Sequence, residues 1–434
     1  MNYQAALDYL YSFGRFGSRP GLERMNWFLE RLGHPQRNLR FIHIAGTNGK
    51  GSTTAFVHGI LRAAGYRVGM YTSPYLEMFT NRIGANGADI PVEVLAELMA
   101  RVRPLVEEVN QTELGPTTQF EVTTVLALLY YQQLDLDFVV WEVGLGGRLD
   151  ATNVVTPLVS VITNIGMDHT DVLGDTLARI AAEKAGIIKP GVPVVTAVEE
   201  EEAWDVIRSQ AESRQAPIWH LGENFSYVRE SFDLSGQTFT YRDPQGQLSD
   251  LRIALLGEYQ CRNAATAIAA VRQLEAQGFA LPPSAYRDGL AGTRWAGRLE
   301  IMSRSPLIVV DGAHNPHGTL RLREALAEFF PDRRIVMVLG ILKDKQRAEM
   351  LEHLLPLASR VWFTAPQFSR GTDPAELLAV AKQYPAQAAA ASTVEEALAA
   401  ALAELEPGDL LLVAGSLYVV AEAREYLKGV LPNR

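Results

Sequence analysis

A short glycine-rich segment, Gly46-Thr-Asn-Gly-Lys-Gly-Ser, has the residue types of a phosphate-binding loop. Glycines let backbone N–H groups turn toward phosphate oxygens, Lys50 offers a cation to the β and γ phosphates, and the Ser52 hydroxyl can coordinate Mg²⁺. The spacing departs from the common pattern G-x-x-x-x-G-K-[ST], because only two residues separate Gly46 from Gly49. The alternative is a glycine-rich turn without a ligand. An apolar strand before the segment and a helix after it favour ATP binding.

Two further side chains, Glu142 and His169, have the chemistry of magnesium ligands. Glu142 lies at the end of the predicted strand 137–143, and His169 follows the predicted strand 158–163. Because ligands bind at the carboxyl ends of parallel strands, we expect both residues at the same sheet edge as the phosphate loop. A carboxylate, an imidazole and phosphate oxygens would suit Mg²⁺. The alternatives are an ion-pairing or helix-capping carboxylate and a hydrogen-bonded core histidine, and the shared position favours the metal.

The pattern of apolar residues predicts the elements that position these groups. Strand Phe41-Ile-His-Ile-Ala, the glycine-rich turn, a helix from Ser52 to Ala64 and a strand at 66–71 form a βαβ unit, which implies a parallel sheet covered by helices. Alternating polar and apolar residues with turn sequences at 222–256 predict a small antiparallel β patch. Further helices are predicted at 3–13, 21–32, 92–109, 118–133, 177–185, 264–277 and the Ala-rich 386–403, with a break at 14–21, and further strands at 193–197, 306–311, 334–339, 360–364 and 410–414.

A chain of 434 residues is too long for one hydrophobic core, so two domains are expected. Residues 1–296 are predicted to form an α/β ATP-binding domain that contains the phosphate loop, a parallel sheet and the antiparallel patch. A second series of alternating strands and helices follows, and residues 297–434 are predicted to form a Rossmann-like α/β domain. The boundary is placed near residue 297, where the pattern of polar and apolar residues changes.

Composition excludes several classes of protein. The formal net charge of −10 argues against a nucleic-acid surface, and any anionic substrate must meet locally placed cations. Cys261 is the only cysteine, so neither an intrachain disulfide nor a cysteine metal site can form. The N-terminus lacks the pattern of a secretory signal, and the apolar runs are too short or too interrupted to span a bilayer. We therefore expect a cytoplasmic protein without a membrane or nucleic-acid partner.

Several long segments, taken together and in this order, resemble the folylpolyglutamate synthase/dihydrofolate synthase family of the Mur ligase superfamily. They are Gly46–Ser52, Tyr71-Thr-Ser-Pro, Trp141-Glu-Val-Gly-Leu-Gly-Gly-Arg-Leu-Asp-Ala-Thr-Asn, Asp168-His-Thr-Asp-Val-Leu-Gly, Glu183-Lys-Ala-Gly-Ile-Ile-Lys, Ala296-Gly-Arg-Leu-Glu and Asp311-Gly-Ala-His-Asn-Pro. Cell-wall members of the superfamily carry a UDP-sugar-binding domain before their phosphate loop. Only 45 residues precede Gly46, so the resemblance is to the folate branch.

The resemblance implies roles for individual residues. One Mg²⁺ would be held by Ser52, Ser73 and Glu142, and a second by Glu142, His169 and a carbamylated Lys184, in which CO₂ turns the amine into a carboxylate. By its residue type alone, Lys184 would be an exposed helical lysine. The residues implied in ATP binding are Gly49, Lys50, Gly51, Ser52, Asn263, Arg298 and Asp311; those in catalysis are Lys50, Lys184, Asp311 and His314; and those in pterin binding are Gln119, Phe120, Glu121, Leu149, Asp150 and Ala151.

Structural alternatives exist for the C-terminal segments as well. Asp311-Gly-Ala-His-Asn-Pro could be a turn that ends a strand, with Asn-Pro beginning the next helix, and Arg298 could be a linker ion-pair residue. Under the functional interpretation, His314 faces the reacting phosphate from the second domain.

The implied activity is ATP-dependent amide formation between a substrate carboxylate and the amine of L-glutamate, by way of an acyl phosphate. The substrates would be folates and also dihydropteroate; whether the enzyme uses both or only folates stays open. The alternatives are a small-molecule kinase with the same loop, another Mur-type amino-acid ligase, and a nucleotide-binding switch with a protein partner. A kinase would release a stable phosphorylated product without needing glutamate. We expect a monomer.

Overall fold

The structure, a computed structural model, describes residues 1–13, 21–367 and 370–431. Its first sheet contains the strands β1 (Phe41–Ala45), β2 (Val68–Tyr71), β3 (Ile83–Ala85), β4 (Ala88–Asp89), β5 (Phe138–Glu142), β6 (Val159–Ile162), β7 (Val194–Thr196) and β8 (Ile218–His220). The eight strands are ordered β4-β3-β2-β5-β1-β6-β7-β8. All neighbours from β2 to β8 are parallel, whereas β3 runs antiparallel to β2 and β4 antiparallel to β3. The predicted parallel sheet is confirmed.

Helices cover both faces of this sheet because its central strands are apolar on both sides. On one face, Phe41 and Trp141 pack against the first two helices and against α4 and α5. On the other face, Ile42 and Val140 pack against α3 and α9. The helices of this part are α1 (Tyr3–Tyr11), α2 (Glu23–Arg31), α3 (Lys50–Ala63), α4 (Val92–Val109), α5 (Gln119–Gln132), α6 (Thr170–Leu173), α7 (Leu177–Ala185), α8 (Glu201–Ser213), α9 (Glu258–Ala276) and α10 (Pro283–Gly292).

A three-stranded antiparallel sheet lies between α8 and α9 in the chain, as the alternation at 222–256 predicted. Its strands are β9 (Ser226–Asp233), β10 (Gly236–Asp243) and β11 (Gly246–Ile253). Phe239 and Tyr241 of the middle strand are buried in the same core as α9. On its outer side, Phe232 contacts Phe329 and Arg229 forms an ion pair with Glu328. The small sheet thus extends one core of the first part and also contacts the last part of the chain.

The last part of the chain forms a six-stranded sheet, ordered β12-β13-β17-β14-β15-β16, that is parallel except for the β12–β13 pair. Its strands are β12 (Glu300–Arg304), β13 (Leu307–Val310), β14 (Ile335–Leu339), β15 (Ala358–Phe363), β16 (Gln387–Ala390) and β17 (Leu410–Ala414). Its helices are α11 (Pro316–Phe329), α12 (Arg347–Leu354), α13 (Pro374–Ala381), α14 (Val394–Ala403) and α15 (Leu417–Val430). Two apolar clusters cover its two faces.

Two predicted elements differ from the structure by more than two residues. The Ala-rich stretch 386–403 is not one helix, because Gln387–Ala390 pairs with β15 and the helix begins only after Thr393, whose side chain accepts from the Glu396 N–H. Helix α9 begins at Glu258, six residues before the predicted start, directly after Gly257 at φ 96°. Strands β3, β4, β8 and β12 and helices α6, α8 and α10 were not predicted. The predicted break at 14–21 lies outside the described residues except for Gly21. None of the helices in the described chain has the length and apolar composition needed to cross a bilayer.

Candidate active site

A cleft runs along the carboxyl edge of the first sheet and is closed on its other side by loops of the second sheet. Residues 46–52 after β1, Glu142 at the end of β5, and Asn164, Asp168 and His169 after β6 line one wall. The opposite wall contains Arg298 and residues from the loop after β13, including Asp311 and His314. The phosphate loop and the C-terminal motif therefore face the same space, although more than 250 residues separate them in the chain.

The phosphate loop is held by the segment that follows β6. The Thr47 N–H donates to the Asn164 carbonyl at 2.9 Å, and the Asn48 N–H donates to the Asn164 side chain at 2.9 Å. Helix α3 begins at Lys50, two residues earlier than predicted, after Gly49 in the left-handed region at φ 79°. A Cβ on Gly49 would come within 2.5 Å of Asn263 Oδ1, so only glycine fits there. The free N–H groups of the first turn of α3 thus begin at the loop.

Lys50 is folded back onto its own loop. Its Nζ donates to the Gly46 carbonyl at 3.1 Å and to the Thr47 carbonyl at 3.3 Å. Burial lowers the pKa of Lys50, and the Glu142 carboxylate opposes that effect. The ammonium thus lies over the loop in which phosphate oxygens would bind.

Glu142 is a buried carboxylate next to Ser73. Its Oε2 accepts a hydrogen bond from the Ser73 N–H at 2.9 Å, and only 3% of the residue is exposed. Burial raises the pKa of Glu142 to about 7, although the Lys50 ammonium acts in the opposite direction. The protein compensates the negative charge of this buried carboxylate only in part, so binding of a cation would stabilise it.

Lys184, at the C-terminal end of α7, is buried and not the exposed lysine that its residue type alone suggested. Its Nζ donates to the Gly46 carbonyl at 3.0 Å. Burial, with the nearby Lys50 cation, lowers the pKa of Lys184 to about 7. A large share of neutral amine at neutral pH follows, and the neutral amine is the form that reacts with CO₂.

Asp168 belongs to one of the segments that resemble the family, but no role was implied for it. In the structure it is the centre of a polar cluster that joins the two walls. Its Oδ1 accepts from Lys345 Nζ at 2.6 Å and its Oδ2 accepts from the Asn315 amide at 2.8 Å. Burial alone would raise the pKa of Asp168, but His314 and the Lys345 cation hold it well below its usual range. Lys345 Nζ also lies 3.4 Å from His169 Nε2. His169 therefore lines the cleft, but its Nε2 faces the Lys345 ammonium.

Asp311 organises the opposite wall through its backbone partners. Its Oδ1 accepts from the Ala313 N–H and its Oδ2 from the Leu299 N–H, both at 2.7 Å. These bonds join the segment of Arg298 to the turn that carries His314. The Nδ1–H of His314 donates to the Gly312 carbonyl at 2.8 Å, which leaves Nε2 as the unprotonated nitrogen. Burial and the Lys345 cation lower the pKa of His314 to about 4, so the ring is neutral at pH 7.

A second cross-cleft contact was also missed from the sequence. The Asn48 side chain of the phosphate loop exchanges hydrogen bonds with the Asn315 amide at 3.1 and 3.2 Å, and its Nδ2 lies 2.9 Å from His317 Nδ1. Asn315 is also the N-cap of α11. No sequence signal pairs residues so far apart, but the strand-end rule would have singled out Lys345, which follows β14.

Asn263 lies on the wall near the phosphate loop, whereas the residues implied in pterin binding lie away from it. Asn263 lines the cleft, where its Nδ2 donates to Gln260 Oε1 at 3.0 Å. The residues implied in pterin binding are absent from the described cleft lining, although the Phe120 ring lies against Gly144, which does line it. They fall into two groups, at the start of α5 (Gln119, Phe120 and Glu121) and before the 3₁₀ turn at 151–154 (Leu149, Asp150 and Ala151).

Two of those residues have their polar atoms engaged by the protein. Glu121 is buried and accepts hydrogen bonds from Arg24 Nε at 2.9 Å and from the Thr118 N–H at 2.8 Å. Asp150 accepts from the Thr152 N–H at 3.0 Å and from the Leu145 N–H at 2.8 Å. Leu149 is 37% exposed, and Ala151 is buried. In the structure, the carboxylates of Glu121 and Asp150 therefore accept hydrogen bonds from the protein itself.

The protein side chains of the cleft do not form a complete metal site by themselves. Within the described ranges, no group of three or more His, Cys, Asp or Glu side chains is placed to hold a metal ion. Glu142 and the hydroxyls of Ser52 and Ser73 are hard oxygen donors on the cleft lining, which suits Mg²⁺ when phosphate oxygens supply the other ligands.

Comparison with known proteins gives consistent matches over the whole chain. The Mur ligase middle domain family matches residues 44–271, and the Mur ligase glutamate ligase domain family matches residues 297–417. The dihydrofolate synthase/folylpolyglutamate synthase of Bacillus subtilis is 40% identical over 432 residues, covering 98% of this chain and 99% of the relative.

Solved structures match in the same way. Mycobacterium tuberculosis folylpolyglutamate synthase, complexed with ADP and AMPPCP, superposes with a TM-score of 0.91 at 32% identity and 100% coverage of both chains. An FPGS–AMPPCP–folate complex gives a TM-score of 0.87 at 37% identity, covering 98% of this chain and 100% of the other.

Proposed function

The chain belongs to the dihydrofolate synthase/folylpolyglutamate synthase family of Mur ligases and is an ATP-dependent glutamate ligase, and from this premise we propose how its cleft performs the reaction. The substrates would be ATP, L-glutamate, and either a folate or dihydropteroate. The observation that carries the proposal is the shared cleft, in which the phosphate loop and Glu142 face Arg298, Asp311 and His314. A domain boundary near residue 297, a monomeric state and a cytoplasmic location are proposed with it.

ATP would bind with its phosphates on Gly49, Lys50, Gly51 and Ser52, where the first turn of α3 presents free N–H groups. Lys50 would leave the Gly46 and Thr47 carbonyls, 3.1 and 3.3 Å away, for the β and γ phosphates. Asn263, Arg298 and Asp311 would hold the rest of the nucleotide. Asp311 would act by fixing the Arg298 segment, because its carboxylate oxygens accept from Leu299 and Ala313.

Mg²⁺ fits the buried Glu142 carboxylate, and we propose Ser52, Ser73 and Glu142 as ligands of a first ion and Glu142, His169 and carbamylated Lys184 as ligands of a second. When bound, these ions would neutralise charge on the β and γ phosphates. Lys184 would act as the carbamate, since an ammonium cannot bind a cation. The burial of Lys184 and its pKa of about 7 favour this modification.

The reaction begins with a substrate carboxylate oxygen, which attacks the γ-phosphorus of ATP and displaces ADP to give an acyl phosphate. The amine of glutamate then attacks the acyl carbon, the C–O bond to phosphate breaks, and the amine loses one proton. Lys50 would stabilise charge on the moving phosphoryl group from one wall. His314 would do so from the other wall once the bound phosphates raise its pKa and protonate Nε2, which is unprotonated in the structure. The Asp168–Lys345 and Asn48–Asn315 contacts would hold the walls together and exclude water from the acyl phosphate.

The pterin part would contact the start of α5, where Phe120 lies against Gly144 and within 6.0 Å of the Tyr71 ring. Gln119 would contribute a polar group beside it. Glu121, Asp150 and Ala151 would shape this region from within the fold, and the exposed Leu149 would border it.

Product analysis tests the proposal. Purified protein is incubated with ATP, Mg²⁺ and L-glutamate, together with either tetrahydrofolate or dihydropteroate, and the products are separated by mass spectrometry. One ADP, one phosphate and one new glutamyl amide per turnover are expected with each acceptor. A phosphorylated acceptor formed without glutamate would instead indicate a kinase, and turnover with tetrahydrofolate alone would restrict the activity to polyglutamylation.

A further inference from the structure

Arg82 lies at the same sheet edge as the active site but has no role in it so far. It ends the 3₁₀ turn Phe79–Arg82 and immediately precedes β3. The Arg82 carbonyl accepts from the Thr72 N–H at 3.0 Å. Ser73, which follows Thr72 in the chain, donates its N–H to Glu142. Arg82 is thus on the opposite side of Ser73 and Glu142 from the phosphate loop, which follows β1. That half of the edge remains for the acceptor substrate once the nucleotide is placed on the loop.

The Arg82 guanidinium forms no direct ion pair within the described part of the chain, although its charge acts on the buried Glu142 carboxylate at longer range. Its Nε is buried without a hydrogen-bond partner, and none of the ion pairs among described residues includes it. Two other arginines, Arg262 and Arg272, also have an Nε without a hydrogen bond, but their terminal nitrogens bind Glu199 and Glu275. A half-buried cation without an acceptor costs free energy that a bound anion would recover.

Aromatic rings fix the position of this cation. The Arg82 Cζ lies 5.5 Å from the Phe79 ring centre and 5.7 Å from the Tyr75 ring centre. The Tyr75 hydroxyl forms a hydrogen bond of 2.9 Å with the Tyr11 hydroxyl, which holds the ring in place. The two rings are 5.8 Å apart, so the guanidinium lies beside the pair. A guanidinium presents a planar fork of N–H donors, and this fork matches the two oxygens of a carboxylate.

The proposed function supplies two carboxylates when the acceptor is a folate with a terminal glutamyl residue. One of them attacks ATP, and the other stays free. A guanidinium bound to the attacking oxygen would withdraw electron density from it, so Arg82 suits the free carboxylate. Because the net charge of −10 repels an anionic acceptor, a local cation is needed to bind it.

We propose that Arg82, beside the Tyr75 and Phe79 rings, binds the unreacting carboxylate of the terminal glutamyl residue of the folate acceptor. This inference rests on the proposed function, because it assumes that the acceptor occupies the Glu142 side of the cleft. Dihydropteroate has a single carboxylate, which must react, so Arg82 has no partner in that substrate. The residue therefore favours polyglutamylation over the first glutamate addition.

The test measures equilibrium binding of two matched acceptors, pteroate and pteroylmonoglutamate, in the presence of a non-hydrolysable ATP analogue. Arg82→Gln is expected to weaken binding of pteroylmonoglutamate at least about 10-fold, the loss of one charge-assisted hydrogen bond, and that of pteroate less than about 3-fold. Arg82→Lys, which keeps the charge without the fork, should lie between. Arg101→Gln, at an exposed position of α4, is the matched control. Unchanged affinity for the ATP analogue shows that each variant is folded.

Equal weakening of both acceptors would overturn the inference, because Arg82 would then contact the reacting carboxylate or the pteroyl part. Unchanged binding of both would overturn it as well. If the wild-type protein binds the nucleotide but neither acceptor, and forms no amide, then the proposed function itself fails.

Discussion

Glu121 provides the sharpest separation between a structural role and a role in substrate binding. The resemblance places it among the pterin-binding residues, whereas the structure buries it and pairs it with Arg24, 97 residues away, at 2.9 Å. It is also the third residue of α5 and caps that helix together with Thr118. We predict that Glu121→Gln lowers stability strongly and affects substrate binding little.

The size of the effect follows from the burial of the ion pair, whose side chains are each only 6% exposed. Removing one partner of a buried pair costs about 3–5 kcal/mol, because the Arg24 guanidinium loses its buried carboxylate partner. Glutamine can still accept from the Thr118 N–H, so little of the capping energy of ~1 kcal/mol is lost. For a domain of this size, such a loss lowers the melting temperature by roughly 6–10 °C.

Thermal unfolding followed by circular dichroism checks this value, with steady-state kinetics measured well below the transition. Glu108→Gln is the matched control, because Glu108 pairs with Arg31 at 3.1 Å on the surface and should cost at most about 1 kcal/mol. The double variant Arg24→Met/Glu121→Leu should recover most of the stability. An unchanged melting temperature with a raised KM for the pterin substrate would refute the reasoning and make Glu121 a substrate ligand.

Three further predictions concern the cleft. Burial raises the pKa of Glu142 to about 7, so the folded protein loses stability as pH rises from about 4.5 through 7 and the buried carboxyl ionises. Without metal or nucleotide, Glu142→Gln should therefore have a higher melting temperature than wild type at pH 8 but not at pH 5. An equal difference at both pH values would contradict this. ¹³C NMR with labelled bicarbonate should show a carbamate signal that Lys184→Ala lacks, and its absence from active wild-type protein would disprove the modification. Asp311→Ala and His314→Ala should each lower kcat/KM at least about 100-fold. The exposed control variant Glu349→Ala should keep the wild-type rate. Full activity of the Asp311 and His314 variants would exclude a site shared by both walls.

The features that the sequence predicted best are those with local signals. The glycine-rich turn between an apolar strand and a helix predicted β1, the loop and α3 within two residues of their observed limits. The strand-end rule correctly predicted that Glu142 and His169 lie with the loop on one cleft. Thr118-Gln-Phe-Glu is a capping-box sequence, and this signal could have predicted the structural position of Glu121.

The remaining features depend on contacts between distant parts of the chain. The partners of Asp168 come from the loops after β13 and β14, and only the packing of the two sheets brings them together. Lys184 looked like an exposed helical lysine because its residue type carries no information on burial. The Ala-rich stretch 386–403 was assigned to a helix by its composition. Helix propensity is a weak effect that tertiary contacts override, and here four residues of the stretch pair with β15 as an additional strand of the sheet.

Transfer of an isotopic label most directly tests the central claim that the cleft activates a carboxylate by phosphorylation. The acceptor carboxylate is labelled with ¹⁸O, the protein is incubated with ATP, Mg²⁺ and L-glutamate, and the released phosphate is analysed by mass spectrometry. One ¹⁸O atom is expected in each phosphate for every amide formed, because the C–O bond of the acyl phosphate breaks when the amine attacks. Amide formation with unlabelled phosphate would contradict it.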